Sequence, residues 1–316
     1  MRSAQLTTSA SLSVVVPVYN SAGSLIELIT RLEPVLSALT REFEIILVND
    51  GSQDQSWQQI QNICAEHSQV QGIDLMRNYG QHNALLVGVR EAHYEVVVTL
   101  DDDLQHPPEE IPKLLEKLSE GHDVVYGTPH NEQHGLWRDL ASQLTKLALQ
   151  RALGASTVRD VSAFRAFRTY LRDAFVNFQS PFVSIDVLLT WGTTQFAAIS
   201  VNHTPRALGS SNYTFRKLIN HSLNMLTGFS TLPLEIASAI GAIVTLVGLG
   251  VLFVAIASSL MTRNSLSGFL MLVAIMTLLD GIQLFTLGFI GVYLSRMHFR
   301  IMQRPIYVIR RKTDSV

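Results

Sequence analysis

The chain has 316 residues, with 24 Lys and Arg against 26 Asp and Glu, a formal net charge of −2 and a mean hydropathy of +0.22. Charged residues are 16% of the total, short of the roughly 25% usual in a soluble domain, while the hydrophobic share of 47% is ordinary, so the apolar surplus is concentrated in part of the chain. The charge balance lacks the basic excess of a nucleic-acid binder, and a single cysteine excludes a disulfide framework and a multi-cysteine metal site.

The opening MRSAQLTTSASLS has no apolar core of a secretory signal, so the N-terminus is expected in the cytoplasm. Leu12–Val18 is a β-branched run that predicts a buried strand, closing on Pro17, Val18, Tyr19 and Asn20. Leu25, Leu28, Ile29 and Leu32 follow at helical spacing. Phe43–Val48 predicts a second strand, stopped by the turn Asn49-Asp50-Gly51-Ser52 and followed by a helix that carries Cys64 as a packed residue. Val70–Leu75 is a weaker third strand, Ala84–Ala92 a helix, and Val96–Leu100 a fourth strand ending on Asp101, Asp102 and Asp103. Pro107 and Pro108 open a helix reaching Ser119, and Asp123–Tyr126 is a fifth strand. Strands alternating with helices predict βαβ units and a mostly parallel sheet.

Ligands of such sheets bind outside the carboxyl ends of the strands, where this sequence places Asp50 and Asp101–Asp103. Neither GxGxxG nor GxxxxGK[ST] is present, which sets aside the dinucleotide and P-loop readings. Three consecutive aspartates repel one another unless a cation or hydrogen-bond donors relieve them, and Mg²⁺ commonly takes one or two carboxylates together with substrate phosphates. If the strand geometry persists, Asp101 and Asp103 point one way and Asp102 the other. The alternative is a solvated acidic turn ahead of a helix N-terminus. The strand-end position, with Gln105 and His106 following and Asp50 on another strand end, favours a metal–diphosphate site. The histidines at His67, His93 and His122 show no metal-ligand spacing.

Trp137–Leu153 carries Leu140, Leu144, Leu147 and Ala148 near helical spacing, either as an amphipathic helix on a bilayer or as ordinary core packing. Tyr213–Phe229 is a second juxtamembrane candidate. Ile236–Thr262 has no charged residue and Ser267–Ser295 only Asp280, each longer than the roughly 20 residues that cross a hydrocarbon core. A short turn at Arg263–Leu266 makes them an antiparallel hairpin. Arg216 and Lys217 precede it, and Arg296, Arg300, Arg304, Arg310, Arg311 and Lys312 follow, so the positive-inside rule places both termini in the cytoplasm. That tail suits anionic headgroups. Asp280, costly at mid-span, is read as protonated or paired within an oligomer.

Pro17-Val18-Tyr19-Asn20, then Val48-Asn49-Asp50-Gly51-Ser52 with Asp54, then Asp101-Asp102-Asp103-Leu104-Gln105-His106-Pro107-Pro108 resemble, in order and spacing, the signature blocks of the family 2 nucleotide-sugar glycosyltransferases. The hairpin is similar to that of the polyprenyl-phosphate members, and the resemblance covers essentially the whole chain. It implies a GT-A fold, a Rossmann-like, mixed and mostly parallel sheet with helices on both faces. Residues 1–212 would form the cytoplasmic catalytic domain, 213–230 a juxtamembrane helix, 231–296 two transmembrane helices and 297–316 a basic cytoplasmic tail.

By the same resemblance Pro17, Tyr19 and Asp50 cradle the base and ribose, Arg77 lies on a loop beside the nucleotide, and Asp101, Asp102 and Asp103 attend the nucleotide sugar. Asp103 and Asp101 would be the metal ligands, for Mg²⁺ or Mn²⁺, with Gln105 facing the sugar or diphosphate. Asp160–Arg165 is similar to the family's Asp-x-x-Ser-Gly-Phe-Arg, with Ala163 for Gly. There Arg165 would fork a phosphate, and Asp160 orient the acceptor or act as base; a surface ion pair is the alternative for each. Arg206-Ala207-Leu208-Gly209-Ser210-Ser211-Asn212-Tyr213 is similar to Arg-x-x-Gly-x-Ser-Lys-Tyr, with Asn212 in place of Lys. Arg206, Arg216 and Lys217 would receive the acceptor phosphate, unless the latter pair serves only as positive-inside charge. Ser21 stands where a Glu often follows Pro-Val-Tyr-Asn.

The implied reaction is inverting transfer of a hexose to a polyprenyl phosphate at the cytoplasmic membrane face. UDP-glucose and undecaprenyl phosphate come first, with GDP-mannose or a modified UDP-pentose as alternative donors. Membrane lipid, copies of the chain in a homo-oligomer, and a separate flippase are the expected partners; nucleic acid is not. A processive synthase would need more membrane helices and a Gln-x-x-Arg-Trp block, which is absent. An inactive, membrane-anchored nucleotide-sugar-binding scaffold is the reading of another class.

Overall fold

The computed structural model describes residues 10–129, 161–180, 183–203, 268–301 and 305–313, with helical positions 240, 243, 246 and 250. The chain divides into two compact units, Met1–Tyr213 with Arg304–Val316, and Thr214–Gln303.

The first unit is built on a sheet whose strands, among the described residues, are β1 (Leu12–Val18), β2 (Phe43–Asn49), β3 (Val70–Leu75), β4 (Val96–Thr99), β5 (Val124–Pro129), β6 (Arg165–Arg168), β7 (Phe196–Val201) and β8 (Ile309–Lys312). Their order is β7-β5-β6-β4-β1-β2-β3-β8. Parallel pairing joins β3, β2, β1 and β4, with Val18 opposite Asn49 and Val15 opposite Thr99. β6 runs antiparallel between β4 and β5, β7 is parallel to β5, and β8 is antiparallel to β3. Every residue of β1 is buried, as expected for a strand covered on both faces.

Helices α1 (Leu25–Leu39), α2 (Ser56–Glu66) and α4 (Ile111–Ser119) cover one face. Leu25, Leu28, Leu32 and Leu36 of α1, Ile60 of α2 and Leu114 of α4 join Val14, Val16, Ile45 and Val98 in one core. Full burial of each such side chain contributes about 1.5–3 kcal/mol. Helix α3 (Gln81–Glu91) covers the opposite face. It packs so closely there that a Cβ on Gly88 would come within 2.2 Å of the Val15 side chain. A 3-10 turn at Pro108–Glu110 precedes α4, and another at Thr169–Phe175 leads toward α5 (Ile185–Gly192).

The five strands expected from the sequence are all present, shifted by at most a few residues. Sequence periodicity missed β6, β7 and β8. β6 is a four-residue strand flanked by arginines, and β8 reads Ile-Arg-Arg-Lys, too basic to look like part of a core sheet. The tail residues Arg310, Arg311 and Lys312, expected at lipid headgroups, are therefore strand residues of the first unit.

In the second unit α6 (Gly268–Ile301) is one continuous helix over the second apolar stretch, described at part of its side chains. Leu272, Met276, Leu287, Leu294 and Met297 are exposed along it. Of the first stretch, Ile240, Ile243, Leu246 and Gly250 are helical. Among the described residues no helix is long and apolar enough to cross a membrane, so the spanning hairpin rests on the sequence. The helices expected at Trp137–Leu153 and Tyr213–Phe229 lie outside the described residues, as do Asp160, Arg206, Arg216 and Lys217.

Candidate active site

The carboxyl ends of β1, β2 and β4 meet at one rim of the sheet, and each strand continues into a loop bonded to its neighbours. After β1, Asn20 takes φ 54 and its backbone N–H donates to Ser52 Oγ at 3.0 Å. In return the Gln53 N–H donates to Asn20 Oδ1 at 2.8 Å. The Ser21 N–H reaches Ser56 Oγ at 2.9 Å, and the Ala22 N–H reaches Asp54 Oδ2 at 3.2 Å. These bonds lock the Pro17–Asn20 and Asn49–Asp54 blocks into one floor.

Asp50, 2% exposed, accepts the Tyr79 N–H at 2.7 Å and the Gly80 N–H at 2.8 Å. Burial pushes its carboxyl above the usual range, and those two N–H groups pull it part of the way back. Asp50 thus braces the loop between β3 and α3, the loop that carries Arg77. The Arg77 guanidinium lies 4.6 Å from the centre of the Tyr79 ring, an exposed cation held by an aromatic face. Gly51 has φ +65, and a Cβ there would fall 2.4 Å from the Arg77 carbonyl carbon, so backbone passes directly over backbone.

The acidic triplet is divided among three sets of partners. Gln81 Nε2, at the start of α3, donates to Asp101 Oδ1 at 2.5 Å. Asp102 turns back to accept the Tyr19 N–H at 3.2 Å, tying the triplet to the end of β1. Burial pushes Asp102 up, with the Ser21 hydroxyl and Tyr19 N–H opposing and the Asp103 charge adding to the rise. Asp103 accepts the Gln105 N–H at 3.2 Å. Asp101 and Asp102 therefore engage different elements, but β4 ends at Thr99 and the triplet lies in the turn beyond it, so strand alternation does not set these directions. Leu104 is held at φ 60 with its side chain buried, a left-handed residue directly behind the triplet. Such conformations cost about 1–3 kcal/mol and persist where the surroundings impose them.

Two hard carboxylates at Asp101 and Asp103 suit a divalent cation of the Mg²⁺ or Mn²⁺ kind, which accepts one or two protein carboxylates and takes further oxygens from a substrate diphosphate. Among the described residues no group of three His, Cys, Asp or Glu side chains is placed to hold a metal by itself. A cation here would thus depend on substrate oxygens to complete its shell.

Arg165 departs most from its sequence expectation. In register with Thr99 of β4 and Tyr126 of β5, it stands two positions from Asp101 along the rim. Its side chain is 2% exposed rather than open as a fork: Nη1 pairs with Asp186 of α5, and Tyr126 Oη donates to the same carboxylate oxygen at 3.1 Å. Burial drives the Tyr126 hydroxyl well above its ordinary range, and the neighbouring Asp186 charge adds to this. Desolvated charges need such pairing, so the guanidinium turns inward. The sequence offered no sign of Asp186 or Tyr126, since an Asp one residue into an apolar helix reads as an ordinary first-turn acid.

His106 stacks on Phe164, with ring centres 5.4 Å apart, and lies 5.1 Å from His203. Burial first, then His203, lowers its pKa to about 4 against the pull of Asp103. It is a neutral aromatic wall behind the triplet. Asn49 and Asp74 were also missed: Asn49 Nδ2 donates to Asp74 Oδ1 at 2.7 Å, joining β2 to β3 under the Asp50 turn.

Comparison with known proteins bears on this rim. The family model described as "Glycosyl transferase family 2" matches residues 13–176. Undecaprenyl-phosphate 4-deoxy-4-formamido-L-arabinose transferase of Klebsiella pneumoniae (strain 342) is 36% identical over 302 residues, 95% of this chain and 92% of that protein. Among solved structures, glucosyl-3-phosphoglycerate synthase from Mycobacterium tuberculosis in complex with phosphoglyceric acid superposes with a TM-score of 0.52 at 20% identity, over 69% of this chain and 78% of that one. The same enzyme in complex with Mn²⁺ and UDP-glucose gives a TM-score of 0.50 at 19% identity, over 69% and 77%. These two likenesses concern the fold.

Proposed function

The chain belongs to glycosyl transferase family 2, and from that premise we propose that it transfers a sugar from a nucleoside-diphosphate donor to undecaprenyl phosphate at a cytoplasmic membrane face. One observation carries the reading: the Asp50-braced loop and the Asp101–Asp103 triplet meet at a single rim, in a chain whose likeness to an undecaprenyl-phosphate transferase runs over 95% of its length.

The donor nucleotide lies over the floor made by Pro17, Tyr19 and the Asp50 turn, with Arg77 beside it. Asp101 and Asp103 hold a divalent cation; when bound, that ion neutralises charge on the leaving diphosphate. Gln105 faces the sugar. The acceptor phosphate is already ionised near neutral pH, so the chain need only bring two anions together, and preorganised positive charge does this. Arg206, Arg216 and Lys217 supply it at the headgroup level, with Asp160 orienting the acceptor. Arg165, paired to Asp186, acts from inside the sheet by holding the rim between β4 and β5. The apolar side chains exposed along α6 support a lipid-embedded hairpin, which ties the chain to the membrane that holds the acceptor.

The sequence alone put glucose first among donors. The 36%-identical relative is named for a formamido-pentose, and on its strength the favoured donor is UDP-4-deoxy-4-formamido-L-arabinose. Purified chain given that donor, UDP-glucose or GDP-mannose with undecaprenyl phosphate is expected to prefer the formamido-pentose in kcat/KM by at least about a hundredfold, since a site that hydrogen-bonds a polar substituent rejects donors lacking it. Equal or better use of UDP-glucose would return the assignment to a hexose. Failure of every donor, with nucleotide binding intact, would leave the inactive nucleotide-sugar-binding scaffold.

A further inference from the structure

The structure assigns a role in donor binding to the far C-terminus: we propose that Arg311, on β8, is a positioning residue that holds the nucleotide-side loop in place. This rests on the reading of that rim as a nucleotide-sugar site. The chain leaves the first unit at Tyr213 and returns to it at Arg304, and the returning segment adds β8 to the free edge of β3.

There β8 meets the loop twice. The Met76 N–H donates to the Val308 carbonyl at 2.9 Å, and Arg310 Nη2 donates to the Met76 carbonyl at 3.0 Å. Both bonds fall on the residue before Arg77.

A second route runs through side chains. Arg311 Nε donates to Asp74 Oδ2 at 3.0 Å, while the guanidinium lies 4.8 Å from the Trp57 ring centre. Asp74 is 2% exposed and through its other oxygen accepts Asn49 Nδ2 at 2.7 Å. Asn49 Oδ1 in turn accepts the Ser52 N–H at 3.3 Å, on the turn that carries Asp50. Both routes converge on the contact in which Gly51 passes under Arg77 and Asn78. Without Arg311 the buried Asp74 keeps Arg310 at 3.9 Å but loses its hydrogen-bonded cation, and relief by shifting would move Asn49 and the turn with it. Lys312, on the same strand, bonds instead to Glu91 at 2.5 Å, away from the loop.

The test measures UDP affinity by calorimetry, and KM for donor and acceptor separately, in the full-length chain with Arg311→Ala, Arg311→Lys and Lys312→Ala. Loss of a charged hydrogen bond predicts that Arg311→Ala weakens UDP binding and raises donor KM about tenfold. Acceptor KM stays within about twofold, Arg311→Lys recovers part of the affinity, and Lys312→Ala matches wild type. Equal UDP affinity in wild type and Arg311→Ala, or matching losses in Arg311→Ala and Lys312→Ala, would overturn the inference and leave the function standing. Absence of UDP binding in wild type would remove both.

Discussion

Charges at this rim are placed by their partners. Asp50 spends both oxygens on a loop, Asp102 turns back to Tyr19, and Arg165 is drawn into the sheet by Asp186, while Asp101 and Asp103 stand at the end of β4. His106 makes the sharpest residue-scale prediction. With a folded pKa near 4 against an ordinary 6.5, it stays neutral in the folded chain where the unfolded chain takes up a proton. The unfolded state therefore binds more protons between pH 6.5 and 4, so stability falls as pH drops through that window and levels off beneath it, by at most about 3 kcal/mol. His106→Phe keeps the stack on Phe164 and removes the proton site. Thermal unfolding at pH 7 and pH 4.5 should show a smaller acid loss in the variant, and equal losses would contradict it. At this scale the aspartates at strand ends were readable because position and residue type agree. Asp186, Tyr126 and Asp74 were not, because their significance lies in contacts between segments 21 to 237 residues apart in sequence.

The elements follow from period and punctuation. β1 to β4 and α1 are legible because β-branched runs and a 3.6-residue apolar period coincide with Pro, Asn, Asp and Gly stops. β6 and β8 are not, since strands of four residues rich in arginine are stabilised by what flanks them rather than by their own pattern. The turn after β2 is the most constrained connection. Gly51→Ala would meet both a left-handed φ of +65 and backbone at 2.4 Å, and the backbone of Arg77 cannot yield without breaking the Tyr79 and Gly80 bonds to Asp50. The expected result is loss of UDP affinity by more than tenfold with a melting temperature lowered by several degrees, since strained substitutions of this kind cost about 1–3 kcal/mol. An unchanged UDP affinity would show that the loop does not depend on that turn.

At the scale of the whole molecule, a catalytic unit is interrupted by residues 214–303 and completed by the strand that follows them. The 16% charge pointed to a concentrated apolar surplus, and the runs Ile236–Thr262 and Ser267–Ser295, with Asp280 their one charge, placed it. It did not show that the basic tail returns to the sheet, since a row of arginines suits headgroups and buried carboxylates alike. In the proposed function, the acidic rim drives sugar transfer to a lipid phosphate with the help of a divalent cation. The most direct measurement is transfer of labelled sugar from UDP-4-deoxy-4-formamido-L-arabinose to undecaprenyl phosphate, by wild type, wild type with EDTA, and Asp103→Ala. Lipid-linked label in the first, abolished by chelation, restored by Mg²⁺ or Mn²⁺ and reduced about a hundredfold or more in Asp103→Ala, is the predicted result. Transfer that survives both chelation and Asp103→Ala would contradict it.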